Sequence, residues 1–192
     1  MNKSLINDAA KWGVLLGVIL GCSKIFEQSL MLSGESSKMG VLALEWIVVA
    51  VVYGALTFKA LKMRASQSDV FKYGQGVNYS ILISLFASII VAFSSYIYID
   101  SYVGGYEQYA SQLVDSMSGV IAEIELGEET KALYTENFEA LQEASANSSL
   151  SLIDVLLNTC SIYIITGALY GAIISFFTRK QEVKTITNDE QE

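Results

Sequence analysis

Four stretches of this chain are longer and more apolar than the core elements of a water-soluble domain. They cover residues 12–32 (WGVLLGVILGCSKIFEQSLML), 39–58, 77–99 and about 150–177. A bilayer core about 30 Å thick asks for about 20 mostly apolar residues per helix, and each stretch meets that length. In hydrocarbon a segment must satisfy its own backbone hydrogen bonds, so each is read as a helix. The third stretch is rich in β-branched and aromatic residues and would pass for a strand in water; its unbroken length overrides that. Composition agrees. The chain is 52% hydrophobic and 17% charged, against about 25% charged in a soluble domain. The expected fold class is all-α: one integral membrane domain, a four-helix bundle.

Basic residues in short loops set orientation. Lys59, Lys62, Arg64 and Lys72 lie between the second and third stretches, Arg179, Lys180 and Lys184 follow the fourth, and Lys3 and Lys11 precede the first. These regions are expected in the cytoplasm, with the tail 178–192. The long loop 100–149 holds one basic residue, Lys131, and ten acidic ones, so its net charge is 1 − 10 = −9. It is expected in the periplasm, and the protein in a bacterial inner membrane.

Within that loop Tyr106, Tyr109, Leu113, Val114, Met117, Val120, Ile121 and Ile124 recur every three or four residues, as on an amphipathic helix. Gly127 interrupts it. A second helix follows with Leu133, Tyr134, Phe138 and Leu141, making an extracytoplasmic helical hairpin. Its acidic polar face points to hydrophobic contact or a cationic partner, not to anionic lipid. Gly104 and Gly105 offer a hinge before it, and residues 144–151 a small polar linker after it.

Small residues mark the packing faces. Gly13, Gly17 and Gly21 recur every four residues; so do Gly76, Ser80, Ser84, Ser88 and Ala92, and then Gly167, Gly171 and Ser175, with Ala50 and Gly54 in the second stretch. Such faces let backbones approach closely, which is what drives helix association in lipid. Packing within the bundle accounts for them. A homo-oligomer through the first helix's face, or another membrane-protein partner, is the sharper alternative.

Lys24, Glu27 and Glu45 are the ionisable residues well inside the spans. At 1.5 Å per residue they lie about 12, 8 and 9 Å from the loop-side ends of their helices, at one level. Each costs about 2.5–3.5 kcal/mol at membrane depth unless compensated. A Lys24–Glu45 pair across the first hairpin, or a Lys24–Glu27 pair three residues apart, would fix helix register. The functional alternative is a polar pocket for an ion, a proton or a small solute.

Other chemistry finds no support. Histidine is absent, which removes the commonest general base and metal ligand. There is no P-loop, dinucleotide, zincin or CxxC signature, so no metal, cofactor or enzymatic activity is expected. The net charge of −8 argues against nucleic acid, and the lysine cluster is a topology signal. Cys22 and Cys160 are expected as small buried hydrophobes. ILGC at residues 19–22 leaves one rival open: a lipoprotein anchored at Cys22, with three spans. Asp8 in the basic region and bulky Leu20 fit that signal poorly, and apolar character resumes after Glu27, as a span requires.

The stretch VFKYGQGVNYSILISLFASIIVAFSSYIYI, the tight first hairpin, the acidic loop and the closing GALYGAIISFFTRKQE resemble the domain of unknown function 4199 family. The likeness covers nearly the whole chain and implies a small four-pass membrane protein of the bacterial inner membrane. It implies no activity and no site residues. Family members often carry a proline after the third helix; this chain has none, so residues 101–105 must make that turn. The functional expectation is a non-enzymatic accessory or scaffold protein, with a small-solute or ion transporter using Lys24, Glu27 and Glu45 as the rival.

Overall fold

Every apolar stretch becomes a single long helix in the computed structural model, which describes residues 3–123, 127–146 and 151–180. Helix α1 spans Lys3–Met31, α2 Met39–Ser66, α3 Tyr73–Ile97, α4 Tyr106–Glu123, α5 Glu128–Ala146 and α6 Leu152–Thr178. A π-helical segment, Tyr98–Val103, extends α3. Among the described residues, α1, α2, α3 and α6 are long and apolar enough to cross a membrane. The protein is an all-α membrane helical bundle. Ile124, Glu125, Lys184 and most of the polar linker and tail lie outside the described residues, as does the side chain of Leu141.

Three helices overrun their apolar stretches at one end: α1 begins at Lys3, α2 runs on to Ser66 and α3 begins at Tyr73. Helix α2 continues eight residues past Phe58, so Lys59, Lys62 and Arg64 ride on a helix instead of a loop. With no proline to remove an amide or clash with the preceding turn, nothing in the sequence stops it earlier. Lys59 lies 6.0 Å from the Trp12 ring and Arg179 4.6 Å from the Phe176 ring. These cations sit over aromatic faces at one end of the bundle, as expected at a membrane–water boundary.

Helix α3 is the centre. It packs most closely on α6 and α1, while α2 leans on α1 and α6 and touches α3 little. The α1–α3 seam is parallel. A Cβ placed on Gly17 would lie 2.9 Å from the Ala87 carbonyl oxygen, and one on Gly21 would lie 2.6 Å from Ser94 Oγ. Gly13 abuts Ile83 and Phe86 in the same register. The α3–α6 seam is antiparallel, with Gly76 against Ser175, Ser80 against Gly171 and Ser84 against Gly167. Ser80, Ser84, Ser88 and Ser175 are fully buried there. A Cβ placed on Gly54 of α2 would lie 3.1 Å from the Tyr170 ring. The small-residue faces, the α1 glycines among them, make close contacts inside the bundle.

Both ends are tied. Phe71, before α3, and Lys180, after α6, exchange antiparallel backbone hydrogen bonds of 3.2 and 2.9 Å. At the opposite end Gly104, at φ +95°, closes the π-helical segment in the left-handed conformation that favours glycine. The chain then turns into α4, whose Ala110, Val114 and Val120 are buried. Ser116 Oγ donates to the Leu32 carbonyl at 2.9 Å, fixing α4 over the α1–α2 turn. Helix α5 packs on α4 and leaves Leu133 and Tyr134 exposed.

Candidate functional site: charges inside the bundle

The three intramembrane charges do not form one cluster. Lys24 pairs with Glu27, Nζ to Oε2 at 2.8 Å. The alternative partner, Glu45, instead accepts a hydrogen bond from Ser23. The reason is helical phase. Ser23 and Lys24 are neighbours on α1, about 100° apart around the axis, so one faces α2 while the other faces α6.

Lys24 and Glu27 line a cavity of about 510 Å³ beneath α4, bounded by α1, α3 and α6. Three polar residues from the start of α6 join them: Asp154, Asn158 and Thr159. Position explains two of these: Asp154 and Asn158 are one helical turn apart and share a face. Ser151 caps this helix, its Oγ accepting from the Asp154 backbone amide at 3.2 Å. The sequence alone did not single out Asp154. The signal that could have found it is the Asp154/Asn158 spacing in an otherwise apolar stretch. Tyr106 of α4 and Tyr163 of α6 complete the walls.

Next to the cavity, Gln28 is buried and donates from Nε2 to Ser95 Oγ at 2.8 Å, joining α1 to α3. Burial pushes the Tyr109 hydroxyl of α4 above its ordinary range, while the Gln28 side chain beside it pulls the other way. The amphipathic helix thus meets the bundle through a polar contact as well as an apolar face.

Glu45 faces a different space. A groove of about 360 Å³ between α1 and α2 is lined by Ile19, Ser23, Phe26, Leu44, Glu45 and Val48, among others. Its rim is apolar and outward-facing: Leu44 is 62% exposed and Val48 51%. The second carboxylate oxygen of Glu45 is buried with no hydrogen-bond partner among the described residues.

Below the cavity the bundle interior carries hydroxyls. Tyr53 hydrogen-bonds Ser84, and Ser84 Oγ reaches the Ser80 carbonyl at 2.8 Å. Ser88 Oγ lies 3.1 Å from Cys160 Sγ, and the Tyr170 hydroxyl donates to the Ala50 carbonyl at 3.0 Å. Cys160 is half-buried, but Cys22 is exposed on α1, against the expectation of burial. Near the far end Tyr79, 1% exposed, donates to Asp8 Oδ2 at 2.5 Å. A second cavity there, about 330 Å³, is lined by Arg64, Gln75 and Asn78. No group of three or more histidine, cysteine, aspartate or glutamate side chains among the described residues could hold a metal.

No curated protein and no solved structure matches this chain. A family model described as protein of unknown function DUF4199 matches residues 11–180. With nearly the full helical bundle inside that match, the chain belongs to the DUF4199 family of proteins of unknown function.

Proposed function

We propose that this is a non-enzymatic accessory or scaffold protein of the bacterial inner membrane, which holds another membrane protein through the α1–α2 groove. Glu45 carries the reading. A carboxylate at membrane depth costs about 2.5–3.5 kcal/mol unless compensated, and Ser23 satisfies one of its two oxygens. A partner helix laid into the groove would cover the exposed Leu44 and Val48 and bring a donor or a cation to the other oxygen. The transport reading needs Lys24, Glu27 and Glu45 together, and it loses support because they face two separate spaces.

The test is a photo-crosslinking residue at Val48, with one at Leu169, 62% exposed on α6, as the control. A discrete protein adduct at Val48 and none at Leu169 is expected, and Glu45→Gln should weaken the Val48 adduct several-fold. Lipid adducts alone at both positions would refute the proposal. An adduct between two differently tagged copies would make the partner a second copy of this chain.

The proposal places both termini in the cytoplasm and residues 100–149 in the periplasm, on the support of the lysine and arginine bias. Single cysteines at positions 62 and 131, in a Cys22→Ser, Cys160→Ser background, should react with an impermeant maleimide on opposite sides. Labelling of both from the same side would overturn the orientation.

A further inference from the structure

The cavity beneath α4 is a separate matter from the groove, and its lining selects a charge. We infer that it binds a small organic monocation, an amine or a quaternary ammonium, with Asp154 as its counter-ion. Lys24 and Glu27 neutralise each other at 2.8 Å. Asp154 is the remaining charge on the walls, so the lining sums to −1. Its Oδ2 accepts from Ser151 Oγ at 2.6 Å, which leaves Oδ1 available. Asn158, one turn further along α6, adds an amide oxygen. Tyr106 and Tyr163 wall the cavity from α4 and α6, and an aromatic face within about 6 Å of a cation attracts it through the ring quadrupole. At about 510 Å³ the space is of the size that small-molecule sites occupy.

Two competing ligand classes fit less well. A divalent metal such as calcium seeks six to eight oxygen ligands, and here two carboxylates are present, one already held by a lysine. A zwitterion would have to take Lys24 away from Glu27. The surroundings favour a cation as well. The segment 100–149 carries one positive and ten negative residues, and such a field raises the local concentration of cations at a cleft and speeds their arrival.

The experiment uses the full chain in lipid nanodiscs and titrates methylammonium, tetramethylammonium, glycine and acetate at constant ionic strength, with calorimetry as the readout. Saturable binding of at least one of the two cations, and none of acetate, is expected. Asp154→Asn leaves the Ser151 cap in place yet should weaken the cation at least tenfold, and Tyr163→Leu should weaken it several-fold. Lys24→Met moves the lining from −1 to −2 and should tighten cation binding, the opposite of what loss of a merely structural ion pair would do. Absence of saturable cation binding, equal affinity in Asp154→Asn, tighter binding of glycine or acetate, or weaker cation binding in Lys24→Met would each overturn the inference.

Discussion

Gly17→Leu is expected to separate α1 from α3 and leave a protein that no longer resists heat or protease in detergent. Helix propensity and steric overlap oppose each other here. Replacing a mid-helix glycine by alanine gains about 0.8–1.0 kcal/mol of helix propensity. At Gly119, on the exposed side of α4 with nothing within 4 Å of an added Cβ, that gain stands alone, so Gly119→Ala should be neutral or stabilising. At Gly17 the added carbon would sit 2.9 Å from the Ala87 carbonyl oxygen and 3.0 Å from its Cα. Backbone atoms do not swing aside as a flexible side chain can. Overpacking costs about 1–3 kcal/mol, so Gly17→Ala should destabilise despite its propensity gain. Leucine adds three further carbons into the same seam. Melting the variants side by side decides the matter: equal stability of Gly17→Leu and the parent would remove the α1–α3 seam from the account of this fold.

That seam also shows where sequence reasoning stops. Hydropathy and length reveal the spans because lipid imposes the same demand on every residue of a crossing helix, and no partner need be known. Glycines every four residues on α1 are equally visible. What they touch is not, because a small-residue face says that a backbone approaches without saying whose. The same limit separates the two glutamates. The Lys24–Glu27 pair is local, three residues apart on one helix, and was within reach. The orientation of Glu45 depends on which face α2 turns to α1, and no spacing within α2 records that. Asp154 was hidden differently: at the edge of an apolar stretch a carboxylate reads as the helix start, which it is, and only the tertiary fold brings Lys24 opposite it. The pairing of Phe71 with Lys180 is made by backbone groups alone and has no side-chain signature at all.

Tyr79 should be among the most sensitive side chains in the bundle, and two substitutions separate its two roles. It is a large side chain, 1% exposed, and Tyr79→Ala leaves an aromatic-sized void at a cost of about 3–5 kcal/mol. Tyr79→Phe keeps the ring and deletes the hydroxyl that reaches Asp8 Oδ2 at 2.5 Å. A hydrogen bond to a charged group is worth about 1.5–3 kcal/mol, so the phenylalanine variant should lose less than the alanine one. The losses should also differ in place. Asp8 lies in the second turn of α1, five residues before Gly13, the first glycine of that helix to meet α3. The Tyr79 bond ties this first part of α1 to α3, while the seam from Gly13 to Gly21 is closed by packing. Amide exchange in Tyr79→Phe should therefore rise over residues 4–11 and stay near the parent's over residues 13–21, whereas Tyr79→Ala should raise both. Asp8→Ala should reproduce the phenylalanine pattern, and combining it with Tyr79→Phe should add little, since both remove the same bond. Full additivity in that double variant would mean that the aspartate and the tyrosine stabilise the bundle independently.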